Sequence, residues 1–182
     1  MNIPNQLTLL RILLIPVFVL VFYLPYAWNN LVACIIFSLA GITDILDGYL
    51  ARKLNQTSSL GAFLDPVADK LMVAVALVLL VQQNPELYLA LAAAIIIGRE
   101  ITVSALREWM AEVGARSKVA VSILGKLKTV AQMLALGFLI FENSVLGLPV
   151  YEIGLVLLYI AAFLTLISMF QYLLAAWPKL KE

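Results

Sequence analysis

Asp44, Asp47, Asp65 and Asp69 sit in stretches that are otherwise apolar enough for membrane helix. A carboxylate at bilayer depth costs about 3 kcal/mol or more unless it is paired, hydrated or bound to a cation, so four of them point to a bound metal ion. Asp44 and Asp47 are spaced i,i+3 and Asp65 and Asp69 i,i+4, so on a helix each pair projects from one face, one turn apart. The polar residues between Arg52 and Gly61 (Lys53, Asn55, Gln56, Thr57, Ser58, Ser59) can turn the chain back and let the two carboxylate ladders face each other near a water boundary. Oxygen-only donors suit Mg²⁺ or Mn²⁺. With no histidine and a single cysteine, the chain has little from which to build a soft-metal site. Carboxylates that hold a divalent cation beside a free carboxylate meet the needs of phosphoryl transfer, namely neutralised phosphate oxygens, a positioned hydroxyl and a base. Without histidine, aspartate is the candidate base.

Three further groups of residues border the same region. Arg99, Arg107, Arg116, Lys126 and Lys128 form a candidate receptor for an anionic acceptor. Their spacing also allows pairs with Glu100 and Glu108, or a purely topogenic role, and the residues alone leave these readings open. Arg99 falls near the middle of an apolar run, which requires either a deep polar cavity or a different helix boundary. At the N-terminus, Asn5, Thr8 and Arg11 recur every three residues opposite Ile3, Leu7, Leu10 and Leu14, a pattern that predicts a short interfacial amphipathic segment. Gly48 follows Asp47 and Gly61 precedes Asp65 by one turn, where a missing Cβ admits a nucleotide or a neighbouring helix. Arg52 is placed to reach phosphate or to snorkel to the headgroups.

The elements that position these residues are membrane helices. The chain has 182 residues, 64% of them hydrophobic, and a mean hydropathy of +1.03, too apolar for a soluble domain. Six candidate spans, at about 7–27, 31–51, 60–82, 88–110, 119–141 and 151–175, each match the roughly 20 residues that cross a bilayer. The expected fold is an all-α integral membrane protein of six transmembrane helices, with residues 1–182 as a single membrane domain. Lys and Arg gather near the N-terminus, the second and fourth connections and the C-terminus, whereas Glu86, Glu142 and Glu152 are the charges of the opposite connections. The positive-inside rule then puts both termini and the aspartates at the cytoplasmic face.

The stretch DILDGYLARKLNQTSSLGAFLDPVAD resembles the signature of the CDP-alcohol phosphotransferases, integral membrane enzymes, at eight positions: Asp44, Asp47, Gly48, Ala51, Arg52, Gly61, Asp65 and Asp69. The resemblance implies that Asp44, Asp47, Asp65 and Asp69 hold the metal and that Asp69 is the base that takes the acceptor's proton. It also implies a CDP pocket formed by Asn5, Thr8, Arg11, Gly48, Arg52 and Gly61. REITVSALREWMAE, GKLKT and NIPNQLTLLRILLIP are similar to the phosphatidylglycerophosphate synthase branch, over nearly the whole chain. That likeness implies transfer of a phosphatidyl group from CDP-diacylglycerol to sn-glycerol 3-phosphate, with Arg107 and Lys126 favoured as the phosphate clamp. It further implies a homodimer in the bacterial cytoplasmic membrane, with no nucleic-acid partner. Two other readings are consistent with the aspartates: the same chemistry on inositol phosphate or serine, and a divalent-cation transporter.

Overall fold

Backbone groups in lipid find partners only within their own segment, and the six apolar runs accordingly wind into helices. The structure, a computed structural model, describes residues 3–53, 58–114, 123–145 and 147–181. The helices are α1 (Ile3–Phe22), α2 (Asn29–Lys53), α3 (Ser59–Gln83), α4 (Leu87–Glu112), α5 (Ile123–Phe141) and α6 (Val150–Leu180). α1, α2, α4 and α6 are long and apolar enough to cross a membrane. α3 equals α2 in length at 25 residues, but Asp65, Asp69 and Lys70 interrupt its first half. α5 carries an apolar stretch over Leu127–Phe141.

The helices close a ring in the order α1, α2, α5, α6, α4, α3, with α3 also touching α2 and α5. Every helix contributes to one core, with Phe18, Phe37, Leu77, Ile96, Leu136 and Leu158 buried in it. A second, smaller cluster joins Val103 and Met110 of α4 to Tyr172 and Ala176 of α6. Large apolar side chains also cover the outside, among them Leu20, Ile45, Phe63, Leu87 and Leu174. That distribution suits a hydrocarbon solvent, in which outward leucines are stable and association rests on packing. At Gly154 of α6 an added Cβ would lie 3.1 Å from Leu139 and Phe138, so the missing side chain is what lets α5 and α6 approach.

The two ends of the bundle differ in chemistry. At one end Glu142, in a left-handed conformation (φ 62°), accepts from Asn30 Nδ2 at 2.9 Å and Gln83 Nε2 at 3.0 Å, tying α2, α3 and the end of α5. The other end holds the four aspartates and the cations. Expected boundaries lie close to the observed ones apart from the end of α6, which runs to Leu180 rather than 175, the start of the fifth span, whose expected position at 119 lies outside the described residues, and the N-terminus. There the anticipated interfacial segment is the first turns of a continuous α1, and its polar face is turned inward. Asn5, Thr8 and Arg11 are only 6%, 1% and 1% exposed, because α2 and α3 offer them carboxylates and hydroxyls that a headgroup layer would otherwise supply.

Candidate active site

Arg11 is the pivot of the aspartate cluster. Its Nη1 donates to Asp44 Oδ1 at 2.6 Å and its Nη2 to Asp47 Oδ2. The i,i+3 spacing on α2 is what lets one guanidinium reach both carboxylates. Thr8 Oγ1, one turn earlier on α1, lies 2.6 Å from Asp65 Oδ1 and 3.4 Å from Asp47 Oδ2. A hydroxyl has one proton, so the shorter contact carries the hydrogen bond while Asp47 stays within reach of the same oxygen. α1 therefore gathers three of the four acids from two helices. Asp47 is 3% exposed, and a buried carboxylate of this kind persists only with such a partner.

Asn5 closes the junction of α1 with α3. Its Oδ1 accepts from Ser58 Oγ at 2.8 Å, and Ser58, the N-cap of α3, accepts from the Gly61 N–H at 3.0 Å. A Cβ on Gly61 would fall 2.7 Å from Asn5 Oδ1. Of the two readings of this glycine, close approach of a helix is the one the geometry displays. Gly48 lies half-buried on α2 directly after Asp47.

The second cluster sits across α3. Glu100 Oε1 accepts from Arg99 Nη1 at 2.8 Å and from Lys128 Nζ, and Arg99 Nη2 donates to Ser168 Oγ at 2.9 Å. A chain of polar contacts thus runs from α6 through α4 to α5. Arg99 and Lys128 are buried and face a cavity of about 270 Å³. The mid-span position of Arg99 is therefore met by a polar cavity that reaches it. Arg107 is exposed and stands at the same cavity. Arg116 lies outside the described residues, as do the side chains of Arg52 and Lys126.

Asp69 links the two halves. It lines the 270 Å³ cavity together with Lys70, Arg99, Glu100, Arg107 and Lys128. It also lines, with Asp44, a second cavity of about 360 Å³ whose other walls include Phe37, Ile42, Ile45, Val130 and Leu134. One carboxylate is shared by a small charged chamber and an apolar one between α2 and α5. The charged chamber has four cationic and two acidic side chains, a surplus of two positive charges. A phosphate monoester carries about −1.5 to −2 at pH 7.

Among the described residues no three acids stand close enough together to form a ready metal cluster. The donor chemistry nonetheless suits a hard divalent cation. Arg11 offsets one of four aspartate charges, a guanidinium already sits between Asp44 and Asp47, and every donor is a carboxylate oxygen. Sequence reasoning missed that Arg11 pairs with Asp44 and Asp47. The pairing of the cations with Glu100, left open by the sequence, is realised with Arg99 and Lys128, whereas Ser168 and Gln132 were missed altogether. Arg11 had a legible signal, since a cation in an apolar run needs an acid; Ser168 and Gln132 had none.

A family model described as CDP-alcohol phosphatidyltransferase matches residues 1–167. Curated relatives cover the chain almost end to end. A protein of Pseudomonas fluorescens is 59% identical over 182 residues, which is 100% of this chain and 93% of that one. One from Sodalis glossinidius is 56% identical over 182 residues, 100% and 98% of the respective chains. One from Salmonella typhimurium is 55% identical over 175 residues, 96% and 94%. Each of the three carries the name CDP-diacylglycerol–glycerol-3-phosphate 3-phosphatidyltransferase.

Proposed function

The chain belongs to the CDP-alcohol phosphatidyltransferase family, and from that premise we propose that it transfers a phosphatidyl group from CDP-diacylglycerol to sn-glycerol 3-phosphate, releasing CMP and forming phosphatidylglycerol phosphate. The observation that carries this reading is Asp69, which borders both the cationic chamber and the apolar cavity. A phosphate-bearing acceptor accounts for the positive surplus around Arg99, Arg107 and Lys128. Neutral serine does not. The acids also gather at one end of the bundle rather than along its length, which favours an enzyme over an ion pathway.

In this mechanism the lipid substrate enters sideways, its acyl chains along the apolar walls of α2 and α5 and its pyrophosphate at the aspartates. The acceptor's phosphate is held by Arg99, Arg107 and Lys128, with Arg116 and Lys126 as further members of the clamp. Its primary hydroxyl turns to Asp69, which takes the proton as the hydroxyl oxygen attacks the β-phosphorus. The new O–P bond forms as the bond to CMP breaks, and CMP leaves with the electron pair. Asn5, Thr8, Arg11, Gly48, Arg52 and Gly61 form the CDP side. Asp44, Asp47, Asp65 and Asp69 would hold Mg²⁺ or Mn²⁺, whose charge neutralises the pyrophosphate oxygens when bound.

Both termini and the site face the cytoplasm, and the protein works as a homodimer in the cytoplasmic membrane. The deciding assay is CMP release by the purified enzyme with CDP-diacylglycerol and a panel of alcohols. Consumption of glycerol 3-phosphate is expected, lost on treatment with a chelator and restored by Mg²⁺. A clear preference for inositol phosphate or serine overturns the assignment.

A further inference from the structure

Among the described residues, two buried side-chain oxygens have no hydrogen-bond partner, Gln132 Oε1 and Thr165 Oγ1. Of these two residues, Gln132 is the one that lines the charged chamber. It is 4% exposed and lies four residues after Lys128 on α5, hence on the same face and one turn deeper. A buried amide oxygen with no protein donor among the described residues can accept a hydrogen bond from a ligand hydroxyl that enters the chamber. Among the charged groups of the chamber, Lys128 and Arg99 suit an anion and Asp69 the proton of the attacking hydroxyl; Ser104, Thr129 and Tyr172 also line it, but of the described lining side chains Gln132 is the one whose buried oxygen lacks a partner. A three-carbon acceptor with phosphate at one end and the attacking hydroxyl at the other has one polar group left, the secondary hydroxyl between them.

We infer that Gln132 is the specificity-determining residue that accepts a hydrogen bond from this secondary hydroxyl. The inference rests on the acceptor assignment made above. A chamber with an acceptor oxygen waiting for an O–H discriminates against a ligand that lacks it, because the buried oxygen is then left unpaired. Glycerol 3-phosphate and 3-hydroxypropyl phosphate differ by that hydroxyl alone and keep the same phosphate and the same attacking group.

The test is the ratio of kcat/KM for these two acceptors, read as CMP release from CDP-diacylglycerol. The wild-type enzyme is expected to favour glycerol 3-phosphate by at least about tenfold. Gln132→Met, similar in volume but without the amide, should bring the ratio to within about threefold of one, while Gln132→Glu, which keeps an oxygen acceptor at similar reach, should retain the preference. A wild-type ratio below about tenfold overturns the inference, as does a Gln132→Met ratio equal to that of the wild type. If the variants cannot be recovered folded, the wild-type ratio decides. Failure of the enzyme to use either phosphate ester, with turnover of another alcohol, instead refutes the acceptor assignment.

Discussion

At the scale of single residues, Asp69 and Arg11 separate chemistry from architecture. Asp69 makes no ion pair among the described residues and stands open to two cavities, so Asp69→Asn removes a proton acceptor without breaking a buried ion pair. CMP release should fall by roughly 10²–10⁴-fold while binding of CDP-diacylglycerol, followed by equilibrium binding of the labelled nucleotide lipid, persists. Near-normal turnover would exclude it as the base. Arg11 is different, because removing it leaves Asp47 buried and uncompensated. Arg11→Ala should lower stability by about 3–5 kcal/mol, seen as a lower melting temperature in detergent, with Arg11→Lys intermediate since it keeps charge but loses the fork. The sequence made Asp44, Asp47, Asp65 and Asp69 conspicuous through spacing alone. It could not say which cation met them, because Arg11 lies 33 and 36 residues away in the chain and no local rule selects among distant arginines.

At the scale of elements, glycines report how closely helices pack. Gly61 lies where Asn5 of α1 meets the cap of α3, with no room for a Cβ. Gly98, in the interior of α4, would place a Cβ in open space. Gly61→Ala should therefore cost about 1–3 kcal/mol through the forced shift of Asn5 and Ser58, and Gly98→Ala should be neutral or stabilise by about 0.5–1 kcal/mol through helix propensity. Opposite changes in melting temperature for two identical substitutions would identify the α1–α3 junction as the tight one; equal changes would refute it. Helix number and rough limits were legible from hydropathy, a local property. The inward turn of the polar face of α1 was not, since a face of Asn5, Thr8 and Arg11 suits headgroups and carboxylates equally well until α2 and α3 are placed beside it.

At the scale of the whole molecule, the six helices of the described residues alternate in direction, so both termini share one end with the aspartates and cations. If that end faces the cytoplasm, a membrane-impermeant thiol reagent added to intact cells should label Glu86→Cys but not Lys181→Cys, in a Cys34→Ser background; the reverse labelling would invert the topology. The sequence by itself determined the membrane class, the helix count, the acid ladders and the likeness of its signature to a known enzyme family, because hydropathy, helical spacing and motif identity are all written within short stretches of chain. Only the tertiary structure decided that Arg11 bridges Asp44 and Asp47, that Glu100 holds Arg99 and Lys128, that Asp69 is shared by two cavities and that Gln132 is left with an unpaired oxygen. Those facts depend on which helices become neighbours, and in lipid that choice is made by close packing and by the pairing of buried charges across the bundle, neither of which leaves a periodic trace in the sequence.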